Sequence, residues 1–169
     1  MKILVIGDSC TDIFNYGNIE RISPEAPVPV FQPEYESENP GMAANVARNI
    51  SSMGIDCDLI TNNTIIEKIR LVDSKSNQMI VRVDKNDNIP IDDNFDFYIN
   101  DYSFKGYDAI VISDYNKGFL SDKNIKKILE LNENTFLQTN KKIGEWCEKA
   151  EFLKINEMEY NNSKSYIDK

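Results

Sequence analysis

The most informative segment of this chain is residues 39–54, which read NPGMAANVARNISSMG. The opening Asn-Pro-Gly predicts a tight turn, because proline fixes φ and glycine adopts conformations closed to other residues. The apolar residues that follow recur at helical spacing, and Gly54 is placed to end the helix. The first turn of such a helix offers free backbone N–H groups and the carboxamide of Asn45 to a polar ligand. An ordinary buried helix that uses alanine for close packing is the alternative interpretation.

Length and composition indicate one acidic domain. The 169 residues include 19 Lys and Arg against 28 Asp and Glu, which gives a net charge of −9. Such a chain repels nucleic-acid phosphates and anionic lipid, so we expect neither a nucleic-acid nor a membrane partner. Short apolar runs, the lack of a signal-peptide pattern and three scattered cysteines predict a cytoplasmic protein with free thiols. The sequence has no histidine, which excludes Ser-His-Asp triads and histidine metal ligands.

Apolar patterning predicts strands that alternate with helices, and therefore an α/β fold with a mostly parallel sheet. Continuous branched runs at residues 2–6 and 108–113 predict buried strands, and residues 152–155 predict a last strand. Two other segments, residues 20–38 and 65–85, predict a separate small β-sheet, because the first is rich in proline and the second reads as a hairpin. We expect this small sheet to stand as a lid over the ends of the parallel strands.

Further local predictions concern the second half of the chain. A 3.6-residue spacing predicts a helix over residues 95–102. Ser121 is placed as the N-cap of the next helix, since a serine there accepts a hydrogen bond from a backbone N–H. Residues 142–150 predict a short helix, and the polar tail, residues 161–169, is expected to fray. We expect the short helix, the tail or a second subunit to shield the strand at 152–155.

Polar residues gather where the predicted strands end, which is where ligands bind in open α/β sheets. Asp12 lies beyond the end of the first strand, and Arg70 and Arg82 lie one on each run of the lid hairpin. Guanidinium groups match phosphate oxygens, so these two arginines would suit a sugar phosphate; solvated sheet charges are the alternative. On the residues alone, the sequence predicts a ligand site beneath a β-lid.

Five motifs in fixed order resemble the PfkB, or ribokinase-like, carbohydrate kinases. They are Gly7-Asp8-x-x-x-Asp12, RISPEAPVPV at residues 21–30, PGMAANVA at 40–47, SDYNKG at 113–118 and NEME at 156–159. Within that family the chain is most similar to the N-terminal half of the kinase domain that phosphorylates heptose 7-phosphate. The resemblance implies a single ribokinase-like (Rossmann-like) α/β domain over residues 1–169, with a small β-lid and truncated at its C-terminal side.

The resemblance also implies roles for individual residues in binding a sugar phosphate. Asp12 and Asn45 would hold sugar hydroxyls beneath the lid, with Gly41 beside them. The loop that carries Asp114 and Lys117 would border the cleft. Family members often dimerise through their lids, so the resemblance also implies a homodimer.

A second implied site concerns the nucleotide. Asn156 and Glu159 would help to organise magnesium and the nucleotide phosphates. Magnesium and ATP would be cofactors only if a complementing kinase half completed the site. No residue is assigned as catalytic or as a resident metal ligand.

Three departures from the family pattern lie within the matched region. Met42 replaces the second glycine of a Gly-Gly pair, where the backbone closely approaches the sugar. The connection over residues 59–65 is short, which indicates that a helical segment is missing before the lid hairpin. Thr139 stands where the heptose kinases carry the aspartate of an Asp-Pro-Lys sequence.

The family's Gly-Ala-Gly-Asp segment, which supplies the anion hole and the aspartate base, has no counterpart in the sequence. Losing even one oxyanion donor typically costs roughly 2.7–4 kcal/mol, so the chain alone is not expected to be a competent kinase. Three functions remain open. They are a sugar-phosphate-binding protein whose kinase chemistry needs another chain, a non-catalytic dimerising protein that keeps the fold, and an active ATP-dependent sugar kinase.

Overall fold

The computed structural model describes residues 1–90 and 104–168, which form two β-sheets with flanking helices. The strands are β1 (Lys2–Gly7), β2 (Ser9–Ile22), β3 (Pro29–Met42), β4 (Asp56–Thr61), β5 (Ile66–Asp73), β6 (Met79–Lys85), β7 (Ala109–Asp114), β8 (Thr135–Thr139) and β9 (Phe152–Lys154). The helices are α1 (Ala43–Ser52), α2 (Asp122–Leu131) and α3 (Glu157–Ile167), with 3₁₀ turns at Phe104–Gly106 and Glu145–Cys147. The helix predicted over residues 95–102 lies outside the described residues.

The main sheet is entirely parallel, with strand order β4-β1-β7-β8-β9. Successive side chains of a strand point to opposite faces, and β1 is buried on both. Val5 packs with the buried residues of α1, whereas Leu4 and Ile6 belong to the larger core that contains the apolar residues of α2. Burial on both faces explains why β1 reads as a continuous apolar run. The predicted α/β class with a mostly parallel sheet is confirmed.

The lid is a separate four-stranded sheet with order β3-β2-β5-β6. Strand β2 pairs antiparallel with β3 and parallel with β5, and β5 and β6 form the predicted antiparallel hairpin. The lid is larger than predicted, because β2 begins at Ser9 and adds residues 9–19, which were not assigned to it. Its buried positions, Cys10, Ile13 and Gly17, do not follow a two-residue period, so β2 carries no clear strand pattern.

The segment Asn39-Pro40-Gly41 does not form the predicted turn. These residues continue β3, which runs directly into α1 at Ala43. Since β3 is an edge strand, the missing N–H of Pro40 leaves few ladder hydrogen bonds unmade. The helix that follows agrees with the prediction: Ala43, Ala47 and Ile50 are buried, and Gly54 follows its end at φ 77°.

The prediction for the start of α2 is confirmed, and the prediction for the C-terminal tail is wrong. Ser121 caps α2 as predicted, with its Oγ accepting a hydrogen bond from the N–H of Asn124 at 3.1 Å. The tail does not fray, because residues 157–167 form α3. Ser163 of this helix is fully buried, and its Oγ accepts a hydrogen bond from the N–H of Ile143 at 2.9 Å. A polar contact that apolar periodicity does not reveal thus ties the tail to the segment between β8 and the second 3₁₀ turn.

Strand β9 lies at an edge of the main sheet. Of the three covers predicted for it, the structure tests the short helix and the tail, and a second subunit stays a prediction. Its three residues are exposed, and Phe152 keeps 61% of its surface accessible. Neither the short 3₁₀ turn at Glu145–Cys147 nor α3 therefore covers it. Among the described residues, no helix is long and apolar enough to cross a membrane.

Candidate functional site beneath the lid

The inner face of the lid carries the charged residues of the candidate site. Side chains alternate along a strand, so Asp12 of β2 shares a face with Cys10. Register places Lys68 of β5 opposite Asp12, with Arg70 two residues further on the same face. Cys10 belongs to the core shared with the main sheet, so this face of the lid looks towards the main sheet.

Asp12 is paired with a cation of its own chain. Arg70 Nη1 donates a hydrogen bond to Asp12 Oδ1 at 2.7 Å, and the two side chains keep 21% and 24% of their surface exposed. The guanidinium also lies over the ring of Phe14, 4.9 Å from its centroid. A β-carbon at Gly41 would lie 2.5 Å from Asp12 Oδ2 and 2.5 Å from Cys10 Sγ. Glycine at this position therefore leaves room for the Asp12 carboxylate beside the start of α1.

A second charged group joins the lid to the main sheet. Asp87, which follows β6, accepts hydrogen bonds from Lys117 Nζ at 2.5 Å and from Lys68 Nζ at 3.1 Å. Burial raises the pKa of Asp87, but the hydrogen bonds from the two lysines outweigh burial and hold that pKa below its usual range. The carboxylate is thus ionised at neutral pH and bridges the two layers.

Charged side chains of both groups, the one around Asp12 and the one around Asp87, act on the thiol of Cys10. Burial raises the pKa of Cys10 to about 11, and the charges of Asp12, Lys68, Arg70 and Asp87 act on the same thiol. These residues therefore lie in one neighbourhood between the lid and the main sheet. Lys68 was missed by the sequence reasoning, although the two-residue period of β5 that places Arg70 on the inner face places Lys68 there too.

The loop after β7 is held by buried carboxylates. Asp8 is fully buried and accepts hydrogen bonds from the backbone N–H groups of Tyr115 at 2.8 Å and Lys117 at 3.3 Å. This arrangement gives Asp8 a structural role in the loop. It also positions Lys117, whose side chain reaches Asp87.

Asp114 lies behind this loop. It is fully buried, and it accepts hydrogen bonds from Thr139 Oγ1 at 2.5 Å and from the N–H of Asn116 at 3.1 Å. Burial raises the pKa of Asp114, while the hydrogen bond from Thr139 and the charge of Lys141, whose Nζ lies 3.4 Å away, oppose that rise. Asp114 therefore supports the loop from within, and its carboxylate is occupied by the chain's own donors.

Two other residues predicted for the site are engaged by their neighbours. Arg82 lies opposite Arg70 in the hairpin register, but its guanidinium donates to both oxygens of Asp84, at 2.9 and 3.0 Å. Asn45, in the first turn of α1, accepts a hydrogen bond from Arg48 Nη2 at 2.9 Å. The structure thus brings Asp12, Arg70 and Lys117 to one charged neighbourhood, and it pairs Arg82 and Asn45 locally.

Met42 has the backbone conformation of a glycine. It precedes α1 with φ 56° and ψ −130°, a left-handed region that favours glycine. Its side chain is 9% exposed and belongs to the larger hydrophobic core. The strained backbone is therefore combined with a buried apolar side chain.

The predicted nucleotide residues, Asn156 and Glu159, form the capping box of α3. Asn156 Oδ1 accepts a hydrogen bond from the N–H of Glu159 at 2.9 Å. The Glu159 carboxylate accepts from the N–H of Asn156 at 2.7 Å and from its Nδ2 at 2.8 Å. Both carboxylate oxygens already serve the start of the helix, so these two residues as placed do not fit a magnesium site.

A groove of about 420 Å³ lies beside the charged site. Its lining is mainly the start of β2, the end of β3, Ala44 of α1 and the connection that carries Asn62, Thr64 and Ile65. Its lining does not include Asp12, Lys68 or Asn45. The short connection noted in the sequence therefore borders an open groove next to the candidate site.

Sequence comparison relates the chain to proteins named bifunctional protein HldE. The chain is 36% identical to the protein of Helicobacter acinonychis (strain Sheeba) over 160 residues, covering 77% of this chain and 35% of that protein. It is 34% identical to the protein of Hyphomonas neptunium over 160 residues, covering 77% of this chain and 33% of that protein. The chain thus spans about a third of the length of these relatives. No protein-family model matches the chain.

Solved structures share the fold. A carbohydrate kinase from Agrobacterium tumefaciens is 13% identical with a TM-score of 0.61, covering 96% of this chain and 63% of that one. Phosphofructokinase-2 from Escherichia coli in complex with fructose-6-phosphate is 12% identical with a TM-score of 0.64, covering 97% of this chain and 64% of that one. The chain therefore has the ribokinase-like fold, and its resemblance to the PfkB carbohydrate kinases and to heptose kinase proteins is confirmed.

Proposed function

We propose that this chain binds a sugar phosphate of the heptose 7-phosphate class beneath its lid. The observation that carries the proposal is Asp12, half-buried on the inner lid face, with Lys68 and Arg70 beside it. A carboxylate accepts hydrogen bonds from sugar hydroxyls, and lysine and arginine bind phosphate. The similarity to the HldE proteins supports the choice of sugar.

Binding would exchange existing contacts for new ones. Asp12 is held by Arg70 at 2.7 Å, so a sugar hydroxyl that hydrogen-bonds to Asp12 replaces the guanidinium. The released Arg70 is then free to bind the phosphate. Each charge-assisted hydrogen bond contributes on the order of 1.5–3 kcal/mol, and a few of them support millimolar to micromolar affinity.

Phosphoryl transfer needs chemical groups that the candidate site beneath the lid does not supply. The transferred phosphoryl group requires positioned donors, and the sugar hydroxyl requires a base. In the proposed function both come from polypeptide outside residues 1–169, and Mg–ATP binds together with that polypeptide. ATP consumption by this chain alone in the presence of heptose 7-phosphate would instead identify an active kinase.

Calorimetric titration with heptose 7-phosphate tests the proposal. Asp12→Asn keeps the size of the side chain and removes its charge, so it should weaken binding by about tenfold or more. Because this substitution also frees Arg70, inorganic phosphate is titrated in parallel and should not lose affinity. Glu67→Gln removes a charge from the outer face of the same sheet and should bind like the unmodified chain. Equal affinities of the unmodified chain and Asp12→Asn for the sugar phosphate would refute the proposal.

Met42 favours a second function, that of a non-catalytic dimerising protein that keeps the kinase fold. Its side chain stands at the position where the resemblance places a glycine next to the sugar, and it is buried. Met42→Gly removes that side chain. If neither the unmodified chain nor Met42→Gly binds heptose 7-phosphate, the dimerising function is favoured. If only Met42→Gly binds, the methionine blocks an otherwise intact site.

A further inference from the structure

One carboxylate connects the two layers of the molecule at the edge of the candidate site. Asp87 Oδ1 accepts from Lys68 Nζ at 3.1 Å, and Asp87 Oδ2 accepts from Lys117 Nζ at 2.5 Å. Lys68 belongs to lid strand β5, and Lys117 belongs to the loop after β7 of the main sheet. Each oxygen of the carboxylate therefore holds one ammonium group, and the two ammonium groups come from different sheets.

The lysine pair needs an anion between its members. The side chains of Lys68, Lys117 and Asp87 keep 13%, 22% and 30% of their surface exposed, so water screens the two positive charges poorly. Asp84 is 3.7 Å from Lys68, but both of its oxygens accept hydrogen bonds from Arg82. Asp87 is the anion that the two lysines share.

The same geometry suits a phosphate group. A phosphate can give one oxygen to each ammonium, as the Asp87 carboxylate does, and it carries more negative charge. Arg70 lies on the same lid face as Lys68, two residues along β5, and would contribute a third cation. We propose that Lys68 and Lys117 form the phosphate-binding pair of this site, and that Asp87 occupies the pair until the phosphate of a ligand displaces it.

Displacement of Asp87 would be a local change. The N–H of Ile89 donates a hydrogen bond to the carbonyl oxygen of Lys117 at 2.8 Å. A β-carbon at Gly118 would lie 1.9 Å from the carbonyl oxygen of Ile89, so the two segments are packed closely. The carboxylate can therefore leave the lysines while the backbone that follows it stays docked. The identity of the sugar rests on the proposed function, whereas the phosphate pair can be tested without a sugar.

Titration with inorganic phosphate tests the inference directly. Asp87→Asn removes the competing charge and keeps the side chain's size, so it should bind inorganic phosphate about tenfold more tightly than the unmodified chain. Glu67→Gln, which removes one negative charge from the opposite face of β5, should show no such gain. Adding Lys68→Gln to Asp87→Asn should abolish the gain. An unchanged affinity in Asp87→Asn, an equal gain in Glu67→Gln, or a gain that survives Lys68→Gln would overturn the inference.

The unmodified chain provides a second readout that does not depend on the stability of a variant. The side-chain carboxyl ¹³C resonance of Asp87 should shift as inorganic phosphate is added, because the carboxylate loses both ammonium partners. The resonance of Asp73, the last residue of β5, should stay in place, because its carboxylate accepts hydrogen bonds from Ser76 and contacts no lysine of the pair. A stationary Asp87 resonance at saturating phosphate would contradict displacement. If these results appear but heptose 7-phosphate does not bind, the proposed sugar is wrong and the phosphate pair stands.

Discussion

At the scale of the residue, the candidate site is a set of charges that the chain has paired with one another. Asp12 holds Arg70, and Asp87 holds Lys68 and Lys117. A ligand must therefore offer better partners than those already present, and only the difference appears as affinity. A sugar phosphate meets this condition, because its hydroxyls and its phosphate replace the two kinds of partner separately.

At position 42 we expect a glycine variant to be at least as stable as an alanine variant, the reverse of the usual order. Alanine usually stabilises a chain relative to glycine by roughly 0.5–1 kcal/mol, since glycine is more flexible when unfolded. At φ 56° and ψ −130° any residue with a β-carbon is strained. The free energy of unfolding of Met42→Gly should therefore be equal to or larger than that of Met42→Ala. Both variants lose the buried side chain and should be less stable than the unmodified chain, by roughly 2–5 kcal/mol for the alanine variant. Urea unfolding measures all three, and a clearly more stable alanine variant would contradict the strain.

At the scale of the element, capping explains why the tail is ordered. The apolar pattern of α3 is weak, but the reciprocal hydrogen bonds of Asn156 and Glu159 satisfy its first free backbone N–H groups. The buried Ser163 then ties the helix to Ile143. The same two residues had been expected at a nucleotide site, and the structure gives them a role in the start of a helix.

Substitution of Asn156 tests that role. Asn156→Ala should lower the free energy of unfolding by about 1 kcal/mol, because one N–H of the first turn loses its acceptor. The matched control is Asn161→Ala, which makes the same chemical change at an exposed position inside α3. It should be neutral or slightly stabilising, since alanine is the better helix former. Equal losses in the two variants, measured by urea unfolding, would argue against the cap.

At the scale of the whole molecule, the two lid faces differ in character. The inner face carries the charged site, whereas the outer face presents apolar side chains from β5 and β6. Ile69 and Leu71 are half-buried on it, and Val81 and Val83 keep 45% and 43% of their surface exposed. Among the strands that the structure describes, β6 is also an edge of the lid sheet. Exposed apolar area and an open edge favour association with another sheet.

We expect the chain to form a homodimer through this outer lid face. Val81→Asp places a charge within the apolar face, so it should shift the molar mass in solution from dimer towards monomer. The control is Met158→Asp, where an apolar side chain is 74% exposed on α3, a helix that is not part of the lid sheet. Light scattering at micromolar concentration measures the molar mass of each variant. A monomeric mass for the unmodified chain, or an equal effect of both substitutions, would exclude the lid as the interface.

Local pattern was sufficient to identify the parallel sheet, the lid hairpin and two helices. The continuous apolar run of β1, the turn residues between β5 and β6, and Ser121 before α2 each carry their structural signal within a few residues. The order of motifs likewise indicated a ribokinase-like fold, which the structure confirms. These features depend on propensity and periodicity, which a sequence displays directly.

Tertiary structure alone decided the rest, because the deciding contacts join residues far apart in the chain. Strand β2 becomes a central lid strand only when β3 and β5 pair with its two edges, and α3 is ordered through Ser163. The site is decided in the same way, since Lys68, Asp87 and Lys117 meet only where the lid approaches the main sheet. A hydrogen bond between distant residues leaves no periodic trace in a single sequence, so neither the occupied lysine pair nor its competing aspartate could be predicted from it.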